Sequence, residues 1–121
     1  MVNRRAYKRV KINSIDKASL FFSLRNDKSA ILGLDVAKSE IVACLRSESA
    51  EFERPWSLLN PLEIGELVKI CEELRTQGLQ IQVALESTGT YADSLRLAMD
   101  RAKFKVFRVG GKSVSDYREI F

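Results

Sequence analysis

A run of apolar residues, Ala30, Ile31, Leu32, Gly33 and Leu34, stops abruptly at Asp35. So short and uniform a run suits a strand buried on both faces in the middle of a sheet. A second strand-like segment, residues 80–85, ends in the same way at Glu86. An ionised carboxylate at the end of a buried strand is costly unless it is paired or binds a metal. Ligands of open α/β sheets gather outside strand ends, so these two acids converge if their strands are neighbours.

The sequence around them supplies the rest of a sheet. Val36, Ala37, Lys38 and Ser39 read as a turn and residues 41–45 as a second strand, so the domain opens on a hairpin. Residues 52–56 read as a third strand. Asn60, Pro61 and Glu63 carry the marks of a helix start: a capping side chain, proline at the first helical position and an acid able to reach back to the cap. Ile64, Leu67, Val68, Cys71 and Leu74 then recur at helical spacing, and Gly78 is the natural stop. Residues 87–90 form a hydroxyl-rich turn. A helix over 90–102 is expected to bury Tyr91, Leu95, Met99 and Ala102, residues 104–109 form the last strand, and another helix begins near Ser113. This order predicts an α/β fold, a mixed sheet with helices on its faces. Residues 1–29 have no clean period and read as a basic N-terminal extension to a domain spanning 30–121. Within the extension, Val10, Ile12 and Ile15 could anchor a short strand or helix, and Leu20, Phe21, Phe22 and Leu24 could pack on the domain.

Composition narrows the chemistry. The chain has 121 residues, enough for one core, and contains no histidine. That excludes Ser-His-Asp and Cys-His catalysis and His-ligated zinc. Cys44 and Cys71 lack C-x-x-C spacing and read as structural thiols. Any metal must therefore be held by carboxylates, which favours Mg²⁺ or Mn²⁺. No apolar stretch approaches the roughly 20 residues of a membrane span, and no apolar leader follows the basic N-terminus. The expectation is a cytoplasmic protein with no membrane partner.

Charge is unevenly spread. Residues 1–30 hold eight Lys/Arg and two Asp/Glu, whereas residues 31–121 hold twelve and fourteen. Arg4, Arg5, Lys8 and Arg9 make the N-terminal segment either a contact for nucleic-acid phosphates or a solvated tail. Lys38, Lys105, Arg108 and Lys112 form either a basic rim near the strand ends or a solvated face. Gly111, Lys112 and Ser113 echo a phosphate-binding loop, but that motif requires glycine where Val106 stands.

Two carboxylates about 4–6 Å apart repel as anions, and a divalent ion removes the repulsion. In two-metal chemistry such acids hold ions that activate a water or a 3′-hydroxyl and stabilise the leaving oxygen. The plainer alternative is that each acid caps a helix or sits in a turn. The segment Gly33, Leu34, Asp35, Val36, Ala37, Lys38, taken with Glu86, Ser87, Thr88, Gly89, Thr90, Tyr91, resembles the N-terminal domain of the DEDD transposases. This insertion-sequence family, written in words as IS one-ten, is related to the pilin-gene inverting recombinases. The resemblance runs from about Ala30 to the C-terminus. It implies a RuvC-like domain of the RNase H fold, incomplete at the C-terminus, acting on DNA with Mg²⁺ or Mn²⁺ and with a guide RNA as a further partner. Asp35 and Glu86 would then be catalytic metal ligands. Thr88, Gly89 and Tyr91 would support Glu86 or line the nucleic-acid face with Lys38, Lys112 and the basic arm.

The sequence departs from that pattern beyond the last strand. Where a D-x-x-D pair is required there is only Asp116 with Glu119, and the family's serine domain is absent. The resemblance therefore implies a fragment that is inactive alone. Two other functions stay open: a non-catalytic nucleic-acid-binding module that works through its arm, and a phosphotransferase-like domain of the actin and sugar-kinase type. The latter also begins with a strand, an acid and a hairpin. A homo-oligomer is an open possibility for each.

Overall fold

The computed structural model describes residues 9–48, 54–87 and 90–109. The elements are β1 (Val10–Lys11), a short 3₁₀ turn (Ile12–Ser14), α1 (Lys17–Ser23), β2 (Ser29–Val36), β3 (Glu40–Ser47), β4 (Trp56–Leu59), α2 (Ile64–Thr76), β5 (Gln80–Ser87), α3 (Asp93–Arg101) and β6 (Lys105–Arg108). The six strands form one mixed sheet in the order β1-β4-β3-β2-β5-β6. β2, β3 and β4 are antiparallel neighbours, while β5 runs parallel to both β2 and β6.

Alternation along the strands decides what covers each face. In β3, Ile41, Ala43 and Leu45 are buried, while Val42, Cys44 and Arg46 are only half-buried. The buried set joins Leu32, Leu34, Val83 and Leu85 in one core that also takes in Leu20, Leu24, Leu67, Ile70, Leu74, Leu95 and Met99. All three described helices thus contribute to one face. Two successive crossovers of the same hand, each stepping outward, place α2 and α3 on the same side. The opposite face has a small cluster of its own, Ile31, Ala84 and Val109. Central β2 is buried along almost its whole length except at Asp35, as its near-continuous apolar run requires.

The segment before β2 belongs to this core. β1 pairs in parallel with β4, Ile12 is 2% exposed, and Leu20 and Leu24 of the α1 region are buried. Asp16 caps α1 by accepting from the Ser19 amide, which holds its carboxyl below the usual carboxylate range.

Three local expectations are corrected. The third strand is Trp56–Leu59 rather than 52–56, because Trp56 and Leu58 are the residues that alternate inward and pair with β3; residues 51–53 lie outside the described residues. α2 begins at Ile64, not at Pro61, and Asn60 does not cap it. Glu63 accepts instead from the Leu59 amide and from the side chain of Asn13. α3 begins at Asp93, so Tyr91 falls in the preceding turn and is 45% exposed.

α2 and α3 end alike. The amides of Leu79 and Phe104 donate to Leu74 O and Met99 O, and both residues are buried just past the helix. The left-handed position is Gly78 (φ 108°) in the first case and Lys103 (φ 67°) in the second. Arg75 ties the two ends together: it donates to Ala102 O at 2.8 Å, and its guanidinium lies 4.1 Å from the centre of the Phe104 ring.

A side chain at a left-handed position is strained where glycine is not, so Lys103→Gly should raise stability by about 0.5–1 kcal/mol, measured by urea denaturation. Leu74→Ala should cost about 2–5 kcal/mol in the same measurement.

Candidate functional site

Asp35 and Glu86 are direct register partners at the carboxyl ends of adjacent parallel strands β2 and β5. Partners in register share a face, and neighbouring strands lie about 4.8 Å apart. The two carboxylates therefore project together on the side away from the helices. Asp35 is exposed and Glu86 half-buried. Val42 on β3 is the other neighbour of Asp35, and the next row back is Cys44, Gly33 and Ala84.

Three connections close over these strand ends. Lys38 stands exposed in the β2–β3 turn. Asn60 follows β4, and Tyr91 lies between β5 and α3. Asn60 links all three: its side-chain amide donates to Ala37 O at 2.9 Å and to Tyr91 O at 3.0 Å, while its backbone amide donates to Ser39 O. Sequence reasoning assigned Asn60 to a helix cap. A side chain that bridges distant carbonyls leaves no local pattern, and the only clue was its place before Pro61 at a strand-to-helix junction. Leu62 (83% exposed) and Tyr91 add apolar surface to the same rim.

Asp35 also acts on Cys44. Burial pushes the Cys44 thiol up, the neighbouring Asp35 charge pushes it further, and Arg9 partly opposes them. Cys71, inside α2, is pushed up to about 12, chiefly by burial. Both thiols are free.

Apart from Lys38, the basic residues are not gathered at this site by the described structure. Arg9 pairs with Glu40 at 3.2 Å, and Lys105 and Arg108 lie on β6. Arg4, Arg5, Lys8, Thr88, Gly89 and Lys112, like Asp116 and Glu119, lie outside the described residues. Among the described residues no three or more Asp, Glu, Cys or His come together as a metal-ligand group. No described helix is long and apolar enough to cross a membrane.

No family model matches the sequence, and no curated protein does. Among solved structures, the chain is similar to a Bacteroides thetaiotaomicron protein with an actin-like ATPase fold and unknown function. The identity is 14% and the TM-score 0.54, with 90% of this chain and 44% of that chain covered. An ethanolamine utilization protein EutJ from Carboxydothermus hydrogenoformans aligns at 12% identity over 65% of this chain and 35% of that chain, with a TM-score of 0.38. A score that low bears on neither fold nor function. The likeness to the Bacteroides protein is one of fold, and this chain spans less than half of that protein's length.

That fold overturns the transposase expectation. The DEDD resemblance, and with it the reading of a Mg²⁺-dependent recombinase fragment acting on DNA, rested on two short motifs at strand ends. A strand, an acid and a hairpin also open the actin-like arrangement, so the first motif does not separate the two. The hydroxyls and glycine after Glu86 meet the general needs of a strand-to-helix turn. The match over 90% of the chain decides for the actin-like fold.

Asn60→Ala should cost about 1–2 kcal/mol in thermal or urea unfolding, since it removes two hydrogen bonds that join separate loops. Asp35→Asn removes a charge that disfavours the Cys44 thiolate. Cys44 should therefore be alkylated faster by iodoacetamide at pH 8 in that variant, with Cys71 unreactive in the folded protein of either form.

Proposed function

We propose that this chain is part of an actin-like phosphotransferase or ATPase, and that Asp35 and Glu86 face the phosphates of a Mg²⁺–nucleotide. The observation that carries this reading is the direct register of the two carboxylates at the ends of adjacent parallel strands. Open α/β sheets bind ligands outside such ends.

The donor set fits the ion. Mg²⁺ is usually held by one or two carboxylates together with waters and substrate phosphates, rather than by a cage made wholly of protein. Two adjacent carboxylates supply the protein's share; an all-protein cage or a four-acid nuclease centre would need more acids than the described residues bring together. When bound, the ion would withdraw charge from the phosphate oxygens. Asp35 and Glu86 would hold it, or the waters around it, on the side of the sheet opposite the described helices. Lys38, one turn away, would offer a cation to the phosphates. Asn60 would fix the carbonyls of Ala37 and Tyr91 at the rim and so hold the mouth of the site at a set width.

Calorimetric titration of the full chain tests this. ATP should bind measurably in the presence of Mg²⁺ and at least about tenfold more weakly in its absence, a change of about 1.4 kcal/mol. Asp35→Asn and Glu86→Gln should each abolish the magnesium dependence. Nucleotide binding that ignores both the ion and the two substitutions would refute the assignment.

A further inference from the structure

The far edge of the sheet offers a second surface. Among the described residues β6 pairs with β5 alone, and no described strand lies along its outer side. The Val109 amide donates to Leu85 O. Bonding in a parallel ladder alternates along the strand. Lys105 and Phe107 therefore turn their backbone groups toward β5, while Val106 and Arg108 turn theirs outward.

The side chains on this edge are selective. Its sequence, Lys-Val-Phe-Arg, holds two cations and no acid. The edge thus discourages its own pairing, as cationic edge strands do. Lys105 lies along the face opposite the described helices with its ammonium 5.3 Å from the Phe107 ring centre. On the helix side, a groove of about 680 Å³ runs beside α3, lined in part by Leu97, Asp100, Phe104 and Val106. Leu97 is half exposed there. Asp93 and Arg96 also line the groove and pair with each other at 3.8 Å.

We propose that β6 accepts an extended, acidic-ended peptide segment of a partner protein as an added antiparallel strand. The register sets the pattern. Acidic residues lie opposite Arg108 and Lys105, and apolar residues lie opposite Phe107 and Val106. The side chain opposite Val106 enters the groove against Leu97. Asp100 disfavours an acid at that inner position, so the acids belong at the two ends. Main-chain hydrogen bonds to Val106 and Arg108 supply affinity, and the flanking charges supply selectivity.

Fluorescence anisotropy of a labelled peptide with a central Glu-Val-Val-Glu tests the proposal, with Lys-Val-Val-Lys as its counterpart. The acidic peptide should bind and the basic one should not. Lys105→Glu with Arg108→Glu should weaken the acidic peptide at least about tenfold and admit the basic one. Arg108→Gln, a milder change on an exposed site, should weaken the acidic peptide in the same direction without a loss of fold by circular dichroism. N-methylation of the peptide at the residues opposite Val106 and Arg108 should also weaken binding at least about tenfold, because the charges remain while the backbone pairing is blocked. Absence of binding, indifference to charge reversal, or tolerance of N-methylation would each overturn strand addition at this edge.

Discussion

The pairing of β2 with β5 is the constraint on which the rest of the structure depends. It runs unbroken from Ser29 opposite Gln80 to Val36 opposite Ser87. It joins segments far apart in sequence, and α2 supplies the crossover that parallel strands require. The hairpin strand β3 attaches to one side of this ladder and β6 to the other. β2 is buried on both faces because it lies second to nothing in the sheet: every apolar side chain on it meets either the helices or the small cluster of Ile31, Ala84 and Val109. The acid pair is a product of the same ladder. Neither Asp35 nor Glu86 is brought to the other by a loop.

Secondary constraints set how the loops meet the sheet. α2 and α3 end with the same backbone bonding, and each then turns directly into a buried residue, Leu79 or Phe104, that leads into the next strand. Arg75 couples those two ends at the amino-terminal side of β5 and β6. Asn60 does the corresponding work at the opposite end, where it joins the connections after β2, β4 and β5. The sheet is thus tied at both ends by one polar side chain that spans connections distant in sequence.

Much of this was legible in the sequence. β2, β3, β5 and β6 carry strong strand patterning, and α2 has the full helical period with a glycine stop at Gly78. The positions of Asp35 and Glu86 at strand ends could be read from where the apolar runs stop. α1 could not, because a seven-residue helix with Leu20 as its one buried residue shows no period. Asn60 was misassigned because capping and bridging demand the same residue type, and only the tertiary structure says which carbonyls lie within reach. The fold was misread for a related reason: a short motif at a strand end reports local chemistry, whereas a fold is set by the order in which its strands are joined. Residues 9–28 were harder still, since their apolar residues become a pattern only against β4 and α2.

The ladder between β2 and β5 also has a parity. Side chains alternate between faces, so the coincidence of Asp35 and Glu86 survives only displacements of an even number of residues. Loss of one residue within β5 ahead of Glu86 would turn Glu86 toward the helices and bring Ser87, not an acid, opposite Asp35, even if every backbone bond re-formed. Changes of length in the connections, including the long passage through α2, leave that parity untouched. The chain can therefore drift freely in the lengths of its loops while the interior of two strands behaves as a fixed reading frame for the acids at their ends.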